Sequence, residues 1–195
     1  MQITPQLIQD CQAGKREAQF RLYRACFPAL MGVCMRYKKD KDDAAAVLNT
    51  GYMKILSSLD KYSMHIPFTA WMKRIMINTI IDEFRSTRKV RELMEYTDFT
   101  ETDTFDDAVN WNEAEQQFGF EQLLKMIKTL PPVTQKVFNL YAIDGYNHRE
   151  IGEMLCMSDG TSKWHLSSAR KKLQELILQS GDYNYQRKKK GHGRK

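Results

Sequence analysis

Residues 147–178 constrain the fold most, because they carry the signals of two helices joined by a tight turn. Asn147 and Glu150 stand three residues apart, as in a capping box that begins a helix. Residues 156–158 form the predicted turn, with Ser158 as the cap of a second helix. Apolar residues then recur at helical spacing and predict a packed inner face. The segment is therefore predicted to form a helix-turn-helix.

The opposite face of the second helix is polar and basic. At 100° per residue, that face carries Thr161, Trp164, Ser167, Ser168 and Lys171. The residues that flank it are Lys163, Arg170 and Lys172. An outward tryptophan beside hydroxyls and cations suits a helix in a DNA groove, where cations hold phosphates and small polar groups meet base edges. An ordinary amphipathic helix is the alternative.

The charge of the chain is distributed in blocks. The net charge is +6, yet residues 92–121 contain ten acids and no Lys or Arg. Basic residues lie before this block, between 73 and 91, and after it, in the last predicted helix and at 187–190. This distribution is typical of two nucleic-acid-facing units separated by an acidic linker. The basic tail is expected to be a solvated end.

Helical periodicity accounts for almost every segment outside the linker, and no convincing strand, repeat or glycine-rich phosphate loop is present. The predicted helices cover about 5–13, 17–37, 43–59, 68–88, 112–128, 132–141 and the helix-turn-helix. We therefore expect an all-α fold of two small helical bundles joined by an acidic flexible linker, with the helix-turn-helix in the second bundle. The expected boundaries are 1–92 for the first unit, 93–112 for the linker, 113–180 for the second unit and 181–195 for the tail.

The cysteines and the hydropathy pattern bear on location. Cys11, Cys26, Cys34 and Cys156 have neither CxxC pairing nor zinc-finger spacing with the four histidines. Cys26 and Cys34 fit small core positions. Unpaired cysteines, no signal peptide and no apolar run of roughly 18 residues predict a cytoplasmic protein without membrane insertion. We expect no metal and no other cofactor.

A nucleic-acid-processing enzyme is the alternative from another functional class. Such an enzyme needs a carboxylate, histidine or cysteine cluster that binds metal or acts as acid and base. The acid pairs Asp82-Glu83 and Asp106-Asp107 lie near basic segments, but neither has a histidine at ligand spacing. The sequence therefore predicts that the protein is not an enzyme.

Two sets of motifs, one in each half, carry a family resemblance. In the second half they are Leu130-Pro131-Pro132, Asp144-Gly145-Tyr146, Glu150-Ile151-Gly152, Gly160-Thr161-Ser162-Lys163 and Ala169-Arg170-Lys171-Lys172-Leu173. In the first half they are Asp42-Asp43-Ala44, Gly51-Tyr52-Met53-Lys54-Ile55, Phe68-Thr69-Ala70-Trp71, Arg74-Ile75, Asn78 and Asp82. The motifs of the second half resemble domain 4 of bacterial sigma factors of the extracytoplasmic-function group. The motifs of the first half resemble domain 2 of the same group. The resemblance implies a protein that binds core RNA polymerase, recognises a two-part promoter and opens its DNA.

The resemblance implies that the third helix binds a coiled coil of the largest polymerase subunit. The residues that could anchor or pair there are Asp43, Leu48, Tyr52, Lys54, Ile55 and Leu56. A role in the internal core is the alternative for Leu48 and Ile55. Where the family usually has acids and a Gln-Glu pair, this chain has Ala45, Ala46, Asn49 and Thr50. Fewer charges should weaken electrostatic steering onto the polymerase.

The resemblance assigns the −10 element to the first half. Loop 62–67 corresponds to the family's specificity loop, which captures a base flipped out of the duplex, and such capture needs polar edge-readers and stacking walls. Cations along the fourth helix would contact phosphates of the single strand. The candidate residues are Ser63, His65, Phe68, Lys73, Arg74, Asn78, Arg85 and Arg88. Burial inside the bundle is the alternative for Asn78 and Asp82, and a core role is expected for Trp71.

The resemblance assigns the −35 element to the helix-turn-helix. The candidate residues are Arg149, Thr161, Lys163, Trp164, His165, Ser167, Ser168 and Lys171. The family more often has Ser at position 164 and Arg at positions 165 and 168. Loss of these arginines removes the commonest guanine contacts. We therefore expect less dependence on guanine and a contact between Trp164 and thymine methyl groups.

The expected partners are core RNA polymerase, promoter DNA and an anti-sigma factor, which commonly holds members of the family inactive. Two alternatives stay open on the sequence. A stand-alone helix-turn-helix regulator would bind duplex DNA without polymerase, but it leaves residues 61–91 unused. A sigma-like decoy with the altered third helix would bind the polymerase without starting transcription.

Overall fold

The computed structural model describes residues 3–86 and 120–179. These residues are almost entirely helical, and no strand occurs within the two ranges. The all-α prediction is thereby confirmed. No helix in the same ranges is long and apolar enough to cross a membrane. The predicted linker at 93–112, the tail at 181–195 and Arg88 lie outside the described residues.

The helices of the first half are α1 (Pro5–Gln12), α2 (Arg16–Tyr37), α3 (Lys41–Ser57) and α4 (Phe68–Ser86), with a 3₁₀ turn at Leu59–Lys61. Short polar side chains cap two of them. Thr4 Oγ1 accepts a hydrogen bond from the N–H of Leu7 at 3.2 Å, and the Asp40 carboxylate accepts one from the N–H of Asp43 at 2.9 Å. These caps satisfy backbone donors that a first helical turn leaves unpaired.

The helices of the second half are α5 (Phe120–Lys128), α6 (Pro132–Phe138), α7 (His148–Leu155) and α8 (Asp159–Gln179), with a π-helical turn at Asn139–Ile143 after α6. The predicted capping box starts α7. The N–H of Glu150 donates to Asn147 Oδ1, and the N–H of Asn147 donates to Glu150 Oε2, both at 2.9 Å. The predicted helix-turn-helix is therefore present as α7 and α8.

Helices α2, α3 and α4 pack around an aliphatic and sulfur-rich core. Its almost fully buried side chains include Leu22, Leu30, Leu48, Ile55, Met72, Met76, Ile80 and Ile81. Cys26 and Cys34 belong to this core, as predicted, and burial raises the pKa of each thiol to about 12. Helices α3 and α4 approach closely at Gly51, where an added Cβ would lie 2.5 Å from Met76 Cε.

The two halves contact each other at the C-terminal end of α2. Arg36 and Tyr37 both donate hydrogen bonds to the carboxylate of Asp144, the Tyr37 bond at 2.6 Å. The side-chain amides of Gln135 and Asn139 donate to the backbone carbonyl of Arg36 at 3.2 and 2.9 Å. The buried apolar residues of both halves form one cluster. The sequence did not predict this contact.

Candidate nucleic-acid and polymerase-binding surfaces

A tight turn sets the angle between α7 and α8. Cys156 ends α7 in the left-handed conformation with φ 55°, which is uncommon for a residue other than glycine. The N–H of Met157 donates to the carbonyl of Gly152 at 3.0 Å, and a Cβ at Gly152 would lie 2.7 Å from the Met157 carbonyl oxygen. Ser158 Oγ then accepts from the N–H of Thr161 at 3.0 Å and caps α8. Position 152 therefore requires glycine.

The outer face of α8 is the candidate surface for duplex DNA. The predicted residues that are exposed or half-buried there are Lys163, Trp164, Ser167, Ser168 and Lys171. Arg149 on α7 is also exposed, and it forms an ion pair with Glu153 at 3.4 Å. The surface combines cations, hydroxyls and one indole ring, which are the groups that a groove-binding helix uses.

Two residues predicted to contact the −35 element lie inside the fold instead. Thr161 is buried by the turn, and His165 is only 6% exposed. His165 Nδ1 lies 2.9 Å from Thr134 Oγ1 on α6, and burial lowers the pKa of His165 to about 4. A neutral imidazole enclosed between α6 and α8 reaches neither a base nor a phosphate. The DNA contacts of Thr161 and His165 therefore stay predictions that their burial does not support.

Helix α4 presents a row of polar side chains on one side. The residues of this α4 row are Arg74, Asn78, Asp82 and Arg85, all exposed, with Lys73 exposed beside it. Asp82 forms an ion pair with Lys54 of α3 at 3.5 Å. The alternative that Asn78 and Asp82 are buried is wrong, because the 3.6-residue period turns both away from the apolar side of α4.

Loop 62–67 closes over an aromatic cluster. Phe68 is buried, with its ring centroid 5.1 Å from that of Tyr62 and 5.5 Å from that of Trp71. Tyr62 Oη donates to the carbonyl of Ile66 at 2.8 Å and braces the loop. Phe68 thus supports the loop from below, and its direct contact with a flipped base stays a prediction that its burial does not support. Trp71 is half-buried in this cluster, in line with its expected core role.

The top of this loop carries a mixture of side chains. Ser63 and His65 are exposed, as a base-reading role requires. Met64 and Ile66 are also exposed, at 61% and 49%. Sequence reasoning missed these two apolar residues. The available signal was their position in a short loop without helical periodicity, where no buried face accounts for them.

Helix α3 turns the predicted polymerase anchors inward. Leu48 and Ile55 are completely buried, and Tyr52 is buried with its hydroxyl donating to the carbonyl of Gln19 at 2.5 Å. Leu48 and Ile55 therefore lie in the core, as their alternative role requires, and the contact of these three residues with the polymerase stays a prediction that their burial does not support. Leu56 is half-buried. The exposed α3 face instead consists of Asp43, Ala46, Asn49, Thr50, Met53 and Lys54.

Met53 is the largest apolar group on this face, at 64% exposed. Its neighbour Asn49 is held in place, because Tyr23 Oη of α2 donates to Asn49 Oδ1 at 3.1 Å. Helix α2 also exposes Phe20, one residue along from the Gln19 carbonyl that Tyr52 binds. The exposed α3 face therefore presents polar groups around a single large apolar side chain.

A catalytic or metal-binding site requires several acidic, histidine or cysteine side chains close together. Within residues 3–86 and 120–179, no group of three or more His, Cys, Asp and Glu side chains is arranged to hold a metal ion. Of the described histidines, His148 and His165 contact side chains inside the fold, with His148 Nδ1 2.9 Å from Ser162 Oγ, and His65 is exposed on loop 62–67.

Two family models match the chain. The model for sigma-70 region 2 matches residues 22–90, and the model for sigma-70, region 4 matches residues 120–173. The first match includes α3 and α4 with the loop between them. The second includes α5, α6 and the helix-turn-helix. Together they cover more than half of the chain.

Two relatives of this chain are named as RNA polymerase sigma factors. The probable RNA polymerase sigma factor RfaY of Xanthomonas campestris is 22% identical over 173 residues, which is 87% of this chain and 43% of that protein. The RNA polymerase sigma factor SigZ of Bacillus subtilis is 26% identical over 136 residues, which is 67% of this chain and 70% of that protein. The chain thus spans less than half the length of RfaY.

Among solved structures, the sigma factor RpoE in complex with the anti-sigma factor NepR from Bartonella quintana has the same fold. The TM-score is 0.50 at 19% identity, covering 81% of this chain and 95% of that chain. Both region models match the chain, region 2 first and region 4 after it. The chain belongs to the sigma-70 family of RNA polymerase sigma factors, as its resemblance to the extracytoplasmic-function group predicted.

Proposed function

We propose that this protein binds core RNA polymerase and directs it to promoters. Unit 1–92 would bind the polymerase and the −10 element, and unit 113–180 would bind the −35 element. The observation that carries the proposal is the presence of two cation-bearing surfaces on one chain, the outer face of α8 and the α4 row. A protein that reads only duplex DNA needs the first surface alone. On this proposal the protein is a cytoplasmic binding protein and not an enzyme.

The outer face of α8 supports recognition of the −35 element. Lys163 and Lys171 can neutralise phosphates, and the hydroxyls of Ser167 and Ser168 can bond to base edges or to the backbone. Trp164 offers an apolar surface to thymine methyl groups. Since His165 packs inside the fold, position 165 supplies no guanine contact.

Loop 62–67 and the α4 row support opening at the −10 element. Ser63 and His65 are exposed polar groups that can read the edge of an extruded base. Met64 and Ile66 add an exposed apolar surface on which the unstacked base can rest. Arg74 is exposed on α4 and can hold a phosphate of the single strand. We propose this set in place of the predicted contact through Phe68.

The exposed α3 face supports binding of the polymerase. Met53 is its apolar anchor, and Asp43 and Lys54 are charged groups near its two ends. The RpoE structure from Bartonella quintana contains an anti-sigma factor. We propose that an anti-sigma protein regulates this chain as well, by covering the surface that the polymerase needs.

Co-purification with bacterial core RNA polymerase at moderate salt tests the polymerase assignment. The double variant Met53→Asp, Thr50→Arg changes only exposed positions of α3, so it should stay folded and lose retention on the polymerase. Lys125→Asp, at an exposed position of α5, is the control and should be retained. If the wild type binds duplex DNA but not polymerase, the stand-alone regulator is the correct function.

Trp164→Ala tests the DNA assignment. We expect it to lose affinity for a selected promoter duplex more than for a scrambled duplex, because the methyl contacts of the indole ring carry sequence information and the phosphate contacts do not. Binding to both duplexes is measured at the same salt concentration. Equal losses on the two duplexes would contradict a base-reading role for Trp164.

A further inference from the structure

We propose that His165 is a positioning residue for Trp164 and holds the indole ring at the angle at which the ring meets base edges of the duplex. Thr134 of α6 anchors His165, so a residue outside the helix-turn-helix contributes to promoter specificity. This inference rests on the proposed function, in which Trp164 reads the −35 element. It assigns a role in recognition to a side chain that is itself enclosed in the fold.

The first observation is the contact between the two rings. The ring centroids of Trp164 and His165 lie 4.9 Å apart, and the ring planes meet at 77°. This is the edge-to-face arrangement that aromatic pairs favour. Successive residues of a helix point about 100° apart, so their side chains do not face each other by default. The indole of Trp164 therefore leans toward the side of α8 on which His165 lies.

The second observation is that His165 is the fixed member of the pair. Its side chain is 6% exposed, and its Nδ1 lies 2.9 Å from Oγ1 of Thr134, which is 3% exposed. Displacing the imidazole would leave two buried polar groups without this hydrogen bond, which costs stability. Trp164 is only half-buried. The position of the indole therefore follows that of the imidazole.

The third observation is that other helices hold α8 from two sides. His148 of α7 places its Nδ1 2.9 Å from Oγ of Ser162, which is completely buried. Thr134 of α6 binds His165 in the same way, three positions further along α8. These two bonds restrict rotation of α8 about its own axis. The direction of the indole then depends on the side-chain torsions of Trp164, and the neighbouring imidazole limits those torsions.

The charge of His165 separates a positioning role from a contact with DNA. Burial lowers the pKa of His165 to about 4, so the imidazole is neutral from pH 6 to pH 8. A neutral ring can pack against the indole equally well at each pH in this range. A contact with phosphate would instead favour the protonated imidazole and would strengthen as the pH falls.

Positioning of the indole affects sequence discrimination more than general affinity. A side chain that is ordered only on binding weakens the complex by the freedom that it loses, and a side chain already held in place avoids that loss. On a scrambled duplex the lysines of α8 can still bind phosphates, whatever the angle of the indole. Loss of His165 should therefore weaken binding to the preferred sequence and spare binding to the scrambled one.

A double-mutant cycle on the full chain tests the positioning role. The variants are Trp164→Ala, His165→Gln and the double variant, each measured on a duplex selected from a random library and on its scrambled form at one salt concentration. His165→Gln should lower the ratio of the two affinities about fivefold, the scale expected for one preorganised side chain. In the Trp164→Ala background it should change the ratio little. Equal effects in the two backgrounds overturn the proposal.

The cycle is repeated at pH 6 and pH 8. The effect of His165→Gln on the affinity ratio should be the same at both values, because the imidazole is neutral at both. An effect that grows at pH 6 indicates that His165 contacts the DNA itself, and it overturns the positioning role.

Fluorine NMR of the chain labelled with 5-fluorotryptophan observes the indole directly. The chain has three tryptophans, and Trp164→Phe identifies the resonance of Trp164. His165→Gln and Thr134→Val should both move this resonance toward that of the free amino acid. Thr134→Ser keeps the hydroxyl, so it should preserve the resonance and the affinity ratio. The control Thr129→Val removes an exposed hydroxyl that binds the Met126 carbonyl, and it should change neither.

Thr134→Val decides the question if His165→Gln does not fold. It removes the anchor of His165 and leaves both rings in the chain. An unchanged Trp164 resonance in the folded variants overturns the proposal.

The proposed function and the positioning role fail in different ways. If Trp164→Ala loses equally on both duplexes, base reading by the indole is wrong, and the specificity role of His165 is wrong with it. If Trp164→Ala loses selectively but His165→Gln keeps the wild-type ratio and resonance, the −35 assignment stands and the positioning role is wrong. If the DNA results are as expected but the wild type does not bind core polymerase, the positioning role stands and the sigma function is wrong.

Discussion

The variant His165→Gln tests whether His165 of α8 is buried in the fold. A buried imidazole and one exposed for DNA contact differ in how the stability of the protein depends on pH. The fold encloses His165 between α6 and α8, with Nδ1 2.9 Å from Thr134 Oγ1. Glutamine preserves a polar partner for Thr134 but does not titrate. The comparison of the two proteins therefore isolates the proton uptake of one imidazole.

The magnitude follows from the pKa of His165, which burial lowers from 6.5 to about 4. As the pH falls below 6.5, the unfolded chain takes up a proton that the folded chain still refuses, so the free energy of unfolding decreases. The loss is complete once the pH reaches the folded pKa. Between pH 7 and pH 5 the linkage amounts to about 2 kcal/mol.

The assay is urea unfolding at pH 7, 6 and 5. Trp164 is a built-in fluorescence reporter, because its ring centroid lies 4.9 Å from that of His165. We expect the wild type to lose about 2 kcal/mol more than His165→Gln over this range. Ser63→Ala, an exposed loop position without a titrating side chain, should unfold like the wild type at each pH. Parallel pH profiles for the wild type and His165→Gln would refute the argument from burial.

Two further predictions concern the stability of the helices that carry the candidate binding surfaces. Asn147→Ala removes the capping box of α7 and should lower the free energy of unfolding by about 1 kcal/mol, measured by urea titration; an unchanged midpoint would contradict the capping role. Gly51→Ala should destabilise by about 1 kcal/mol, since overpacking against the buried Met76 costs about 1–3 kcal/mol and exceeds a helix-propensity gain of about 1 kcal/mol. Gly32→Ala, where a Cβ would meet nothing within 4 Å, is its control and should be neutral or stabilising.

Local signals were sufficient for the helices and their ends. The capping box at Asn147, the cap at Ser158 and the turn at 156–158 all appear as predicted. Each depends on hydrogen bonds between residues within five positions of each other, so the nearby sequence contains the required information. The same applies to the outer face of α8, where spacing alone separates Lys163 and Lys171 from the inner side.

Local signals were insufficient where the choice lay between a buried and an exposed apolar residue. The sequence predicted that Leu48, Tyr52 and Ile55 anchor the polymerase at the surface of α3. In the structure α2 and α4 cover these three side chains. The sequence predicted that Phe68 contacts a flipped base, but in the structure Phe68 packs against Tyr62 and Trp71. Periodicity defines the apolar side of a helix, but it does not say which neighbouring helix will cover which part of that side.

The sequence by itself determined the all-α class, the helix-turn-helix and the cation-bearing surfaces, because these follow from periodicity, capping and charge along the chain. The tertiary structure alone decided that His165 lies inside, that Met53 is the apolar group exposed on α3, and that Asp144 binds Arg36 and Tyr37. Asp144 is more than 100 residues from its two partners. Such a contact depends on how separately formed helices pack, which no local pattern encodes.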